Sequence, residues 1–131
     1  MILVDTSVWV DHLRTGRPAL VRLLEGGLVL SHPWVVGELA LGHLSQREEV
    51  IGLMRSLPQA TVATDEEVMT LIDRRPLYGL GIGYVDAQLL AATQLTADAA
   101  VWTTDRRLAA AASRLGCAID PDVGGAHRPQ R

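Results

Sequence analysis

Three short runs, Ile2-Leu3-Val4, Leu28-Val29-Leu30 and Ala99-Ala100-Val101-Trp102, are apolar at every position and show no alternation with polar residues. A strand of that kind is buried on both faces, and such strands belong to parallel sheets covered by helices on either side. Each run also stops abruptly at a polar residue: Asp5, Ser31 or Thr103. The chain between the runs carries apolar residues at helical spacing, as a parallel sheet requires of its crossovers. The fold class is therefore α/β. In sheets of this type ligands gather at the carboxyl ends of the strands, which is where Asp5 and Asp105 fall.

The helical segments have readable ends. Val8 to Leu13 reads as a short helix, and Pro18 to Glu25 as a second one stopped by Gly26-Gly27. Pro33 opens a helix running to about Gly42, with Glu38 inside it. Ser45-x-x-Glu48 and Thr64-x-x-Glu67 have the spacing of capping boxes, the second heading a helix that extends to about Tyr78. Gly79, Gly81 and Gly83 form a loop before a helix from Tyr84 to Thr96 that carries Asp86 in its first turn. Asp105 caps a last helix, and short strands are expected at 60–63 and 118–119.

The chain has 131 residues, the size of one domain, assigned here to residues 1–123 with a flexible, mildly basic tail at 124–131. All 12 of its basic residues are arginines. Without lysine there is no Walker A loop and no Schiff base for pyridoxal phosphate. The single Cys117 excludes an internal disulfide and a multi-cysteine zinc site. A formal net charge of −3 argues against nucleic-acid binding through a broad basic face, though not against an enzyme that reaches phosphates through a cation. No apolar run approaches the roughly 18 residues of a membrane span, and the expected location is cytoplasmic.

Four of the 15 acidic residues stand beside core sequence: Asp5 after Ile2-Leu3-Val4, Glu38 between Val36 and Leu39, Asp86 between Val85 and Leu89, and Asp105 after Val101-Trp102. One account makes Asp5 and Asp105 helix N-caps and sets Asp86 against a helix dipole. The other gathers all four at one end of the sheet. At separations of roughly 5 to 7 Å each pair would repel by about 2 to 3 kcal/mol at an effective dielectric of about 20. A divalent cation or raised pKa values would then have to compensate, and an all-oxygen donor set favours Mg²⁺ or Mn²⁺.

Val4-Asp5-Thr6-Ser7-Val8-Trp9, Val36-x-Glu38-Leu39, Asp86-x-x-Leu89-x-Ala91-Ala92 and Val101-Trp102-Thr103-x-Asp105-x-x-Leu108 occur in that order over residues 1 to 120. In this the sequence resembles the PIN-domain nucleases, and among them the VapC toxins of bacterial toxin-antitoxin systems. The resemblance implies a three-layer α/β/α sandwich around a parallel sheet. It also implies a metal-binding and catalytic quartet of Asp5, Glu38, Asp86 and Asp105, supported through hydrogen bonds by Ser7 and Thr103. The activity implied is Mg²⁺- or Mn²⁺-dependent endoribonuclease action on RNA such as tRNA, with a cognate VapB antitoxin and a homodimer as partners.

Arg14, Arg106 and Arg107 are candidates for contacts to RNA phosphates, with solvated helix surface as the plainer account of each. His12, His32 and His43 read as boundary or surface residues, and Trp9, Trp34 and Trp102 as packing. The helices at 46–57 and 64–78 offer apolar faces for an interface. Two other functions fit parts of the pattern. A metal-dependent phosphatase would use the Asp after the first strand but wants a second Asp where Ser7 stands, and a noncatalytic α/β module would use the acids only as caps and surface groups.

Overall fold

The computed structural model describes residues 1–122, so the tail expected at 124–131 lies outside the described residues. Strand β1 (Ile2–Val4) lies between β2 (Val29–Leu30) and β3 (Ala100–Trp102) in a parallel sheet of order β2-β1-β3. Ile2 is level with Val29 on one side and Ala100 on the other, and Val4 with Trp102. Leu3 and Val4 are wholly buried, as a central strand covered on both faces demands.

Isolated parallel bridges widen the sheet on both edges, Ser31 pairing with Gln59 and Val101 with Ala118. The strand expected at 60–63 is therefore a single bridge at Gln59. The strand expected at 118–119 is likewise one bridge, fixed by the Ile119 amide donating to the Val101 carbonyl at 3.1 Å.

Seven helices flank this sheet among the described residues: α1 (Thr6–Thr15), α2 (Pro18–Glu25), α3 (Pro33–Ala40), α4 (Arg47–Ser56), α5 (Asp65–Arg74), α6 (Tyr84–Leu95) and α7 (Arg106–Arg114). Helix α6 is the best buried, with every residue from Ala87 to Thr93 inside. Its Leu89 and Ala92 join the main core around β1, its Leu90 packs with Val101 and Leu108, and its Ala87 and Ala91 meet Val68 of α5. A helix apolar all round takes such a central place, and its alanines let neighbours approach closely.

Local chemistry sets most helix ends, and where it loses, a tertiary contact or a missed proline wins. The Thr64 box forms in full: the Thr64 hydroxyl accepts from the Glu67 amide at 3.1 Å and the Glu67 carboxylate from the Thr64 amide at 2.8 Å. The Ser45 box does not form. Helix α4 begins at Arg47, whose guanidinium donates to the Ala40 carbonyl at the end of α3 at 3.0 Å, and this bond fixes the entry in place of the serine. Helix α5 stops at Arg74 instead of reaching Tyr78 because Pro76 disfavours helical backbone at Arg75. Helix α1 starts two residues before the expected Val8.

Candidate active site

Asp5 leaves β1 beside β3, its amide donating to the Trp102 carbonyl at 2.9 Å. It occupies the N-cap position of α1, yet its side chain caps nothing. Its Oδ2 accepts instead from the Ser7 hydroxyl at 2.8 Å and the Thr103 hydroxyl at 2.7 Å. Those hydroxyls are held in turn, Ser7 Oγ accepting from the Thr104 amide at 3.1 Å and Thr103 Oγ1 from the Asp105 amide at 3.0 Å. Asp5 is 7% exposed, and burying a carboxylate is costly unless hydrogen bonds or a cation compensate it. Here two hydroxyls orient it at the carboxyl end of the sheet.

The other three acids come from α3, from α6 and from the N-cap of α7. Glu38 on α3 is exposed and accepts from the Thr6 hydroxyl at 2.6 Å, which ties it to the chain just beyond Asp5. Thr6 is a site residue that the spacing of the acids does not reveal; its signal is its place inside Asp5-Thr6-Ser7. Asp86 in the first turn of α6 is half-buried and accepts from the Gly83 amide at 3.2 Å. Burial pushes the Asp86 carboxyl above the ordinary carboxylate range; the Gly83 bond opposes that, and the charges of Asp5, Asp105 and Glu38 reinforce it. Asp86 thus feels the charge of each of the other three acids. Asp105 Oδ1 accepts from the Arg107 and Leu108 amides at 2.9 and 3.0 Å, so the capping account holds for Asp105 and fails for Asp5.

As placed, no three His, Cys, Asp or Glu side chains among the described residues stand together in a way that would hold one ion. The donor set nonetheless suits a hard cation. Each carboxylate commits one oxygen to the protein, and Asp5 Oδ1, Glu38 Oε2, Asp86 Oδ1 and Asp105 Oδ2 have no protein donor among the described residues. Four carboxylates with free oxygens match the ligand preference of Mg²⁺ or Mn²⁺.

Arg14 is exposed in the last turn of α1 and shares a cleft of about 400 Å³ with Glu38, Leu13 and His43. Arg106 is exposed at the start of α7. The side chain of Arg107 lies over Gly81, so close that a Cβ there would stand 3.0 Å from its Cδ. The histidines and tryptophans divide differently from expectation. His32 is fully buried, its Nδ1 accepting from the Trp34 amide at 3.1 Å to cap α3, and burial lowers its pKa to about 4. Trp9 and Trp102 are packing residues, each 1% exposed, whereas Trp34 is 41% exposed.

A PIN-domain family model matches residues 2–113. The chain belongs to the PIN-domain family. Two curated relatives, each named Ribonuclease VapC32 and coming from two strains of Mycobacterium tuberculosis, are 47% identical to it over 123 residues, covering 94% of this chain and 99% of theirs. The parallel sheet between helices accords with PIN membership, and all four carboxylates lie within the matched span. Among the described residues of this PIN domain, no helix is long and apolar enough to cross a membrane.

Proposed function

We propose that this PIN-domain protein is a Mg²⁺- or Mn²⁺-dependent endoribonuclease of VapC type, the toxin of a toxin-antitoxin pair. The observation that carries the reading is the Asp5 carboxylate, withdrawn from helix capping and oriented by the Ser7 and Thr103 hydroxyls at the carboxyl end of the sheet. The 47% identity to proteins named Ribonuclease VapC32 supports RNA as the substrate.

Asp5, Glu38, Asp86 and Asp105 would hold the cation through their free oxygens. When bound, such an ion lowers the pKa of water and polarises a phosphodiester. Ser7 and Thr103 keep Asp5 in one orientation, and Thr6 does the same for Glu38. A carboxylate at the edge of the cluster takes the proton from the attacking water. Arg14, Arg106 and Arg107 would meet the flanking phosphates of the substrate, a tRNA in this reading. The partners are a VapB-like antitoxin and a second copy of the chain, and the proposed place of action is the cytoplasm.

The test incubates antitoxin-free protein with labelled RNA, labelled DNA and a phosphomonoester, with and without Mg²⁺ or Mn²⁺, beside the Asp5→Asn variant. The expected result is RNA cutting that needs the ion and is lost in the variant. Phosphate release from the monoester alone would indicate a phosphatase, and inactivity on every substrate a noncatalytic module.

A further inference from the structure

Trp34 and Tyr84 meet edge to face, ring centroids 6.1 Å apart and planes at 64°, and both are exposed, by 41% and 39%. They come from the two helices that carry Glu38 and Asp86. Trp34 precedes Glu38 by four residues on α3, one helical turn, so both project from one face and line the same shallow pocket of about 340 Å³ with Pro33 and Leu41. Tyr84 precedes Asp86 by two residues in the first turn of α6.

The pair is built to stay in place. The Tyr84 hydroxyl donates to Asp65 of α5 and accepts from the Gln88 amide at 3.1 Å, which fixes its ring. The Trp34 backbone is held by the His32 cap. In an edge-to-face pair at most one face of each ring is used, so Tyr84 by itself covers no more than one face of the indole, and Trp34 stays 41% exposed. About two-fifths of Trp34 is thus left to water one helical turn from Glu38.

Resting on the ribonuclease reading, we infer that Trp34, buttressed by Tyr84, is a stacking platform for an unpaired base of the RNA next to the cleaved phosphate. Single-stranded nucleic acid is held by the combination of cations on the backbone and aromatic faces on the bases. The chain is net negative, −3 overall, so stacking must supply more of the grip than in a basic RNA-binding protein. Adenine, with a wide π-face, would be preferred at this position over an abasic sugar.

The protein supplies its own reporter, because Trp9 and Trp102 are each 1% exposed and Trp34 alone of the three tryptophans is open to contact quenching. Short oligoadenylate, titrated into the Asp5→Asn protein with Mg²⁺, is expected to quench tryptophan fluorescence, and an abasic ribose-phosphate chain of equal length is not. In the otherwise wild-type protein, Trp34→Ala should raise KM for RNA about tenfold, with Trp34→Phe recovering most of the loss and both variants melting normally. Equal quenching by the two chains, or unchanged KM in Trp34→Ala, overturns the platform while leaving ribonuclease activity intact. If Trp34→Ala instead alters only self-association or antitoxin binding, the indole is a protein contact and the inference fails. Absence of RNA cleavage by the wild type would remove the ribonuclease reading and the platform with it.

Discussion

The Thr103 hydroxyl donates to Asp5 Oδ2 at 2.7 Å across 98 positions of sequence, joining the carboxyl ends of β1 and β3 through a side chain as well as through their backbone ladder. The same oxygen of Thr103 receives the Asp105 amide at 3.0 Å, so one hydroxyl holds the side chain of one proposed metal ligand and the backbone of another. Thr103→Val keeps the shape and removes both bonds. Outer contacts of this kind are worth roughly 10- to 100-fold in activity. Cleavage by Thr103→Val is expected to fall by about that factor, and the stability to urea by about 1 to 2 kcal/mol. Thr103→Ser should restore most of both; a valine variant as active as the wild type would show that the bond orients nothing.

Asp86 sets function against stability. Its carboxyl is pushed up by burial first and by the charges of Asp5, Asp105 and Glu38 after that, so the folded state binds its proton more tightly than the unfolded chain does. The stabilising contribution of that proton is present below the ordinary carboxylate pKa and is lost as pH rises through the elevated value. At neutral pH the ionised Asp86 is therefore a net cost to the metal-free fold. Asp86→Asn removes the charge and keeps an oxygen for the Gly83 amide. Its Tm in chelator is expected to exceed that of the wild type by a few degrees at pH 7, while Mg²⁺ stabilises only the wild type. A lower Tm for the variant in calorimetry would contradict this account.

The three paired strands β1 to β3, and the polar residue that ends each apolar run, are legible because their central residues are buried on both faces, although Leu28 falls outside β2 and is exposed. The Thr64 box is legible because its bonds are local. What escapes the sequence is decided at a distance. Arg47 reaching the Ala40 carbonyl overrides Ser45, and nothing in the sequence order announces it. The four acids could be picked out by their apolar neighbours, but that Asp105 caps its helix while Asp5 does not depends on Thr103 arriving from the other end of the chain. The different fates of Trp34 and Trp102 likewise follow from which face of the fold each meets. The burial of His32 is not legible because in the sequence a histidine that caps a helix looks like one at a surface.

His32 gives the fold a pH dependence separate from the acidic cluster. Burial lowers its pKa from the usual 6.5 to about 4, so it stays neutral in the folded protein while the unfolded chain takes up a proton. Stability from this residue is complete above pH 6.5 and drains away as pH falls toward 4, by about 3 kcal/mol in all. Protonation also removes the lone pair of Nδ1 that accepts from the Trp34 amide, uncapping α3. Urea unfolding between pH 7 and pH 4 should show the loss, and His32→Asn, which retains a capping oxygen, should flatten the slope whatever its absolute stability. Parallel slopes for the two proteins would assign the acid sensitivity elsewhere.

Two glycines of one loop separate backbone strain from the placement of Arg107. Gly79 and Gly81 have nearly equal positive φ, +77° and +79°, so alanine is strained equally at both, by about 1 kcal/mol. Their surroundings differ: a Cβ at Gly79 meets open space, while one at Gly81 would stand 3.0 Å from both Cδ and Nη1 of Arg107. Gly81→Ala must therefore move a guanidinium that is a candidate RNA contact next to Asp105, and Gly79→Ala need not. Both variants are expected to lose similar stability in urea, but only Gly81→Ala should raise KM for RNA, and Arg107→Ala should show the same KM as the double variant. If Gly79→Ala impairs RNA binding as much as Gly81→Ala, loop strain and not the arginine is responsible.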